Sequence, residues 1–142
     1  MMTDIHYKMT CKDVDWQQLR DILIEDEFHN GRTVAQYQLS FENSHTVVIA
    51  YADDKIIGTV RVLSDGVCNA YVVDVWTYTP YRQQGIARKM MELALEPLHG
   101  QHVYLWTDDM QAFYRAIDMV EASDHTGFYQ VVGQWLRNEA SE

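Results

Sequence analysis

Between Arg82 and Ala87 the chain reads Arg-Gln-Gln-Gly-Ile-Ala, and an apolar stripe of helical period starts at its end. A helix N-terminus presents unpaired backbone N–H groups and about half a positive charge. A glycine at that point lets an anionic ligand approach the backbone closely. Arg82, Gln83, Gln84, Gly85, Ile86 and Ala87 are therefore a candidate phosphate-binding loop, with Arg82 as a mobile cation at its mouth. The competing reading is that Gly85 only eases a strand-to-helix turn and that Arg82 is solvated. Upstream, Asp74 interrupts the β-branched and aromatic run AYVVDVWTY. Period-two alternation puts it beside Val72 and Trp76 on one strand face. Desolvation there would raise its pKa toward that of a general base, whereas an ion pair with Arg61 on the preceding strand would make it structural. Trp76 is either a pocket wall or a core ring.

Composition narrows the chemistry. The chain has 142 residues, is 47% hydrophobic and carries a formal charge of −10, which suits one globular domain over residues 1–142 with a real core. That charge disfavours nucleic-acid binding, which needs a basic face. It favours cationic or amine-bearing partners, or simply solubility. Cys11 and Cys68 lack metal-ligand spacing, and the six histidines form no H-x-x-x-H arrangement, so no metal is expected. Two free thiols, a first stretch without an apolar h-region and the lack of a long apolar window point to the cytoplasm, with neither export nor membrane insertion. No G-x-S-x-G or comparable nucleophile setting is present, so nucleophilic covalent catalysis is not expected.

These residues must be positioned by elements the pattern also predicts. IHYKMT reads as a first strand. Asp15 and Gln18 resemble a capping box opening a helix with Trp16, Leu19, Ile22 and Leu23 on one face. Val34, Tyr37 and Phe41 behind a Thr33 cap predict a second helix. TVVIAY, IIGTVRVL and AYVVDVWTY, separated by ADDK and SDGV, read as an antiparallel meander. A helix from Ile86 to Leu98 follows, with Ala87, Met90, Met91, Ala94 and Leu98 as its stripe and Gly100 after its end. HVYLW is a strand, DDMQAFYRAIDM a short helix and GFYQVVGQWL closing β structure. The expected class is α/β (α+β), a central mixed and mostly antiparallel sheet flanked by about four helices.

The loop Arg82–Ala87 following DVWTYTPY resembles the R/Q-x-x-G-x-G/A signature of the GNAT superfamily of N-acetyltransferases. Three further segments extend the likeness over nearly the whole chain. GTVRVLSDGVCNAYVVDVWT is similar to the strand pair leading into that loop, TDDMQAFYRAIDM to the family's T-x-D-A-x-x-F-Y-x-x-x-G-F segment, and FHNGRTVAQYQLSFENS to its W-x-x-G-R helix region. Gln83 stands where glycine is common, and Asp118-Met119 where Gly-Phe is typical, which puts backbone approach at the loop and the exit of the last helix in question. Thr79-Pro80 shifts the usual proline by one position.

The resemblance implies transfer of an acetyl group from acetyl-CoA directly to a primary amine of a small molecule or peptide, without a metal. It implies that Val75, Trp76 and Thr77 splay from the next strand, offering backbone groups to the pantetheine arm and an N–H to the developing oxyanion. The phosphates then fall to Arg82–Ala87, with Arg88 and Lys89 available to the 3′-phosphate or else solvated, and Thr107 joins the cofactor-binding set. Tyr114 falls on the family tyrosine that protonates the departing thiolate, a role a phenol near pKa 10 can fill; taken alone it reads as a core residue, as Phe113 does. Asp74 is then the base candidate, and Asp65 and His29 are weaker candidates for gripping the substrate ammonium or relaying its proton. A non-catalytic acyl-CoA sensor is the alternative, for which Asp118-Met119 is the best sequence support. The C-terminal strand region offers a surface for a homodimer.

Overall fold

The computed structural model describes residues 4–123 and 125–133. The element order is β1 (Ile5–Lys8), α1 (Trp16–Glu25), α2 (Val34–Glu42), β2 (Thr46–Ala52), β3 (Lys55–Ser64), β4 (Asn69–Thr77), α3 (Ile86–Leu95), β5 (His102–Tyr104) and α4 (Gln111–Ala116). The strands form one sheet in sequence order, with β1 to β4 antiparallel and β5 parallel to β4. The expected mixed α/β class is what the chain adopts.

Each helix start has a local cause. Asp15 accepts a hydrogen bond from the Gln18 amide at 3.0 Å, while the Gln18 side chain reaches away to the Ile56 amide at 2.7 Å, so only half of the expected box forms. At α2 the box is complete, with Thr33 and Gln36 each accepting from the other's backbone N–H. Trp16, Leu19, Ile22 and Leu23 are the buried face of α1, as their spacing predicts. On α3 the buried face starts at Ile86, while Ala87 is only half-buried.

The sheet has a core on both faces. α3 covers one, packing Met90, Met91 and Ala94 on Val48, Val60 and Val62. The other is covered by α1 and α2, with Leu19, Tyr37 and Phe41 against Val47, Ile49 and Ile56. Alternate residues of β2 enter opposite cores, which explains why TVVIAYA is apolar throughout.

Two bulges interrupt the ladders. The one that matters for the site lies in β4, where Thr59 pairs with Trp76 but Arg61 pairs with Val73, so Asp74 and Val75 stand across from the single Val60. Alternation therefore inverts at Asp74: Val72 belongs to the α3 core and Trp76 to the α1/α2 core. The expectation that they share a face is corrected by this extra residue.

The expected closing strand is also corrected over residues 127–133, which have no strand pairing, and the remainder of GFYQVVGQWL lies outside the described residues. Phe128, Tyr129 and Val132 are almost fully exposed, so the segment lacks the pleated, half-buried surface that its β-branched and aromatic content suits.

Candidate active site

The β4–β5 ladder ends at Tyr71 opposite Tyr104, and over Val72–Thr77 β4 pairs, among the described residues, with β3 alone. At the end of β4 the hydroxyl of Thr77 is buried and has no hydrogen-bond partner among the described residues, an orphan that costs free energy unless a ligand or water satisfies it. The Trp76 side chain is 2% exposed and its Nε1 donates to Asp26 at 2.8 Å, so it is a core ring and not a pocket wall. Any contact of Trp76 with a cofactor falls to its backbone.

A single 3-10 turn, Thr79–Tyr81, carries the chain to the loop. Gly85 is the N-cap of α3, left-handed at φ +80°, with no side chain capping the helix. The first intrahelical bond is Lys89 N–H to Gly85 O at 3.0 Å, so the amides of Ile86, Ala87 and Arg88 have no acceptor within the helix. A Cβ built at Gly85 would meet nothing within 4 Å, so the glycine serves both its φ and an open approach. Gln83 is left-handed too, at φ +61°: it adopts the conformation for which glycine is common there, at some strain.

The cations differ from expectation. Arg82 is anchored, with Nε donating to the Thr77 carbonyl at 2.9 Å and Nη2 standing 3.6 Å from the buried carboxylate of Asp26. It is therefore a brace between β4, the loop and the end of α1, not a mobile cation. Arg88 lies 3.5 Å from the Ala116 carbonyl and 3.8 Å from Glu92, tying α3 to the end of α4. Gln84 and Lys89 are exposed.

α4 lies along the same side as α3. Tyr114 is half-buried and, with Phe113, Ile117 and Met119, packs against the α3 core. Burial pushes the Tyr114 phenol above its ordinary value, so it holds its proton throughout the neutral range. The hydroxyl of Thr107 accepts from the Met110 amide at 3.1 Å and organises the turn into α4, a local structural role for a residue expected to touch cofactor. The exit of α4 is a regular helix ending. Asp118 is left-handed at φ +70°, its amide bonds to Arg115 O at 3.1 Å, and the Met119 amide bonds to Tyr114 O at 3.0 Å. These two bonds are a Schellman ending with aspartate doing what glycine usually does. Asp118→Gly is therefore expected to remove left-handed strain and raise the melting temperature by roughly 1–3 °C, read by thermal denaturation.

Asp74 is not a base. Both its oxygens take a bidentate fork from Arg32, at 2.8 and 2.9 Å, and Oδ2 also accepts from Arg61 Nε at 2.5 Å. Burial alone would raise its pKa, but hydrogen bonds and charge from Arg32 and Arg61 outweigh it and hold the carboxyl below the usual range. The structural role with Arg61 is what forms, and Arg32, 42 positions away, joins it. Asp65 sits at the far end of β4, where Oδ1 accepts from the amides of Val67, Cys68 and Asn69 at 2.8, 2.8 and 3.2 Å. It shapes the hairpin turn between β3 and β4. His29 is half-buried in the α1–α2 connection, with Nδ1 3.1 Å from the Tyr37 hydroxyl, and Arg32 covers the Tyr37 ring at 4.2 Å. The same side of the sheet thus holds His29 and the arginine cluster.

Arg32 lies in the G-R pattern, which by itself assigns it no role, and Asp26 and Thr59 carry no signal in the sequence. Their partners are distant in sequence, so spacing cannot find them.

The family model described as Acetyltransferase (GNAT) family matches residues 15–119. The chain belongs to the GNAT acetyltransferase family. The GNAT fold is shared with solved structures across kingdoms. A GNAT family acetyltransferase from Streptococcus pneumoniae is 22% identical, with 90% of this chain and 98% of that one covered and a TM-score of 0.77. A predicted acetyltransferase from Clostridium acetobutylicum solved with acetyl-CoA is 15% identical, with coverage of 89% and 96% and a TM-score of 0.67. Glucosamine-6-phosphate N-acetyltransferase from Arabidopsis thaliana is 16% identical, with coverage of 89% and 98% and a TM-score of 0.64. No curated protein matches the chain. Among the described residues no group of three or more His, Cys, Asp and Glu could hold a metal ion, and no helix is long and apolar enough to cross a membrane.

Proposed function

We propose that this GNAT acetyltransferase works as one domain and transfers an acetyl group from acetyl-CoA directly to a primary amine of a small molecule or peptide. The observation that carries the reading is the uncapped N-terminus of α3 behind the left-handed Gly85, opening beside the edge of β4 that is unpaired among the described residues. The orphaned Thr77 hydroxyl between these two features supports the fit.

Acetyl-CoA supplies an acyl group already activated as a thioester, so positioning and charge management are what remain for the protein. The amides of Ile86, Ala87 and Arg88 bind the pyrophosphate, backed by the dipole of α3. Arg82 acts by holding the loop against β4. The open edge of Val75–Thr77 takes the amide groups of the pantetheine arm, and an N–H of this segment donates to the acyl oxygen as it gains charge. Tyr114 gives its phenolic proton to the departing sulfur. With Asp74 committed to two arginines, the ammonium proton leaves through water or His29. The acceptor enters from the α1–α2 side, where His29 stands.

The test pairs calorimetry with a thiol assay over a broad amine library. Wild-type protein should bind acetyl-CoA and release CoA only when an acceptor amine is present. Gly85→Val puts a β-branched residue at φ +80° and fills the open approach; by losing one or two charge-assisted hydrogen bonds it should weaken acetyl-CoA binding about 10- to 100-fold. Tight binding without thiol release for any amine would instead favour an acyl-CoA sensor. Undiminished binding by the Gly85→Val protein would remove the phosphate loop from the account.

A further inference from the structure

Asp74 is a non-glycine residue at φ +53° in the interior of a strand. Such a conformation persists only where the surroundings over-determine it, and here they do. Its carboxylate takes the Arg32 fork and Arg61 Nε, while its main-chain carbonyl accepts from the buried Thr59 hydroxyl at 2.8 Å. Arg32 is itself fixed: Nε donates to Asn30 Oδ1 at 3.0 Å, Nη1 to Ser40 Oγ at 3.2 Å, and its carbonyl accepts from Arg20 Nε at 2.9 Å. Two guanidinium groups against one carboxylate exceed what neutrality asks. A buried ion cluster is seldom more stabilising than apolar packing of the same size, so its retention is better explained by the geometry it specifies.

That geometry is the bulge. The extra residue shifts by one which amides of β4 face β3 and which face the open edge. Val75 follows at once, and Val75–Thr77 is the segment that the proposed reaction uses. We infer that Arg32, Arg61 and Thr59 are positioning residues that act through Asp74 to set the bulge and thereby aim the Val75–Thr77 amides at the acyl oxygen and the pantetheine arm. The inference rests on the acetyl-transfer reading above. It gives the α1–α2 connection, through Arg32, a direct hold on the strand that carries the chemistry.

Two mild variants test it. Arg32→Lys keeps the charge but loses the fork, and Thr59→Val keeps the shape but removes the pin on the Asp74 carbonyl. For variants shown to be folded by circular dichroism, kcat should fall about 10- to 100-fold, as expected for a displaced donor, with a smaller rise in the KM for acetyl-CoA from the pantetheine contacts. In parallel, amide NMR of Val75, Trp76 and Thr77 should show altered shifts and a smaller response to acetyl-CoA than in wild type. A lowered melting temperature with wild-type kcat and wild-type amide shifts would overturn the inference and leave the cluster a structural ion pair. If wild-type protein binds acetyl-CoA without acetylating any amine, the functional reading fails separately; unchanged amide shifts in the two variants would still overturn the inference, and altered shifts would sustain it.

Discussion

Turnover by the Tyr114→Phe protein is expected to fall about 100- to 1,000-fold, the usual worth of a positioned general acid, with affinity for acetyl-CoA retained. Phenylalanine keeps the ring that packs on the α3 core and its edge contact with Phe113, whose ring centre is 5.0 Å away. Only the hydroxyl is lost, so stability should change little and the kinetic loss can be read cleanly. Saturating both substrates and following thiol release gives kcat, and calorimetry gives the affinity. Because burial raises the Tyr114 pKa, the wild-type enzyme should hold its acid through neutrality, and the fall in kcat from loss of this proton should lie above the ordinary phenol value near 10. The phenylalanine variant should lack that descending limb. Equal kcat for the two proteins would mean that solvent protonates the thiolate and that Tyr114 is a packing residue.

Much of this arrangement is legible in the chain, and the limits are physical. The α1 stripe and the α2 capping box are local, set by residues three or four positions apart, and both are where the spacing puts them. The loop at Gly85 is equally local: a helix start, a glycine and an unfilled cap. The bulge is different. Val72-Val73-Asp74-Val75-Trp76 gives no sign of an extra residue, because a left-handed aspartate looks like any other aspartate in sequence. From that one hidden dihedral follows the wrong face for Trp76, while of the two readings open for Asp74 the ion pair with Arg61 is the one that forms. Arg82 failed for a related reason: its partners, Thr77 O and Asp26, meet only after α1 and β4 have packed.

Asp74→Ala is expected to destabilise the protein by about 3–5 kcal/mol, with alanine strained at φ +53° besides. Arg32 and Arg61, with side chains only 5% and 13% exposed, would be left facing each other without a counter-charge. Against a typical total of roughly 5–15 kcal/mol, that loss is a large fraction of the stability, and urea denaturation of the two proteins measures it. Asp74→Asn should lose less, since it keeps the shape and one acceptor oxygen and tolerates the left-handed region. The pH dependence has a definite sign. The folded carboxyl lies below its unfolded value near 3.9, so its contribution is complete above that value and is lost as pH falls through the folded pKa. Wild-type stability should therefore drop in acid over a range beginning below pH 4, and the asparagine variant should show a shallower drop there. If Asp74→Ala melted like wild type at neutral pH, the two arginines would have to find other anions or turn to solvent. The bulge would then be held by backbone pairing alone.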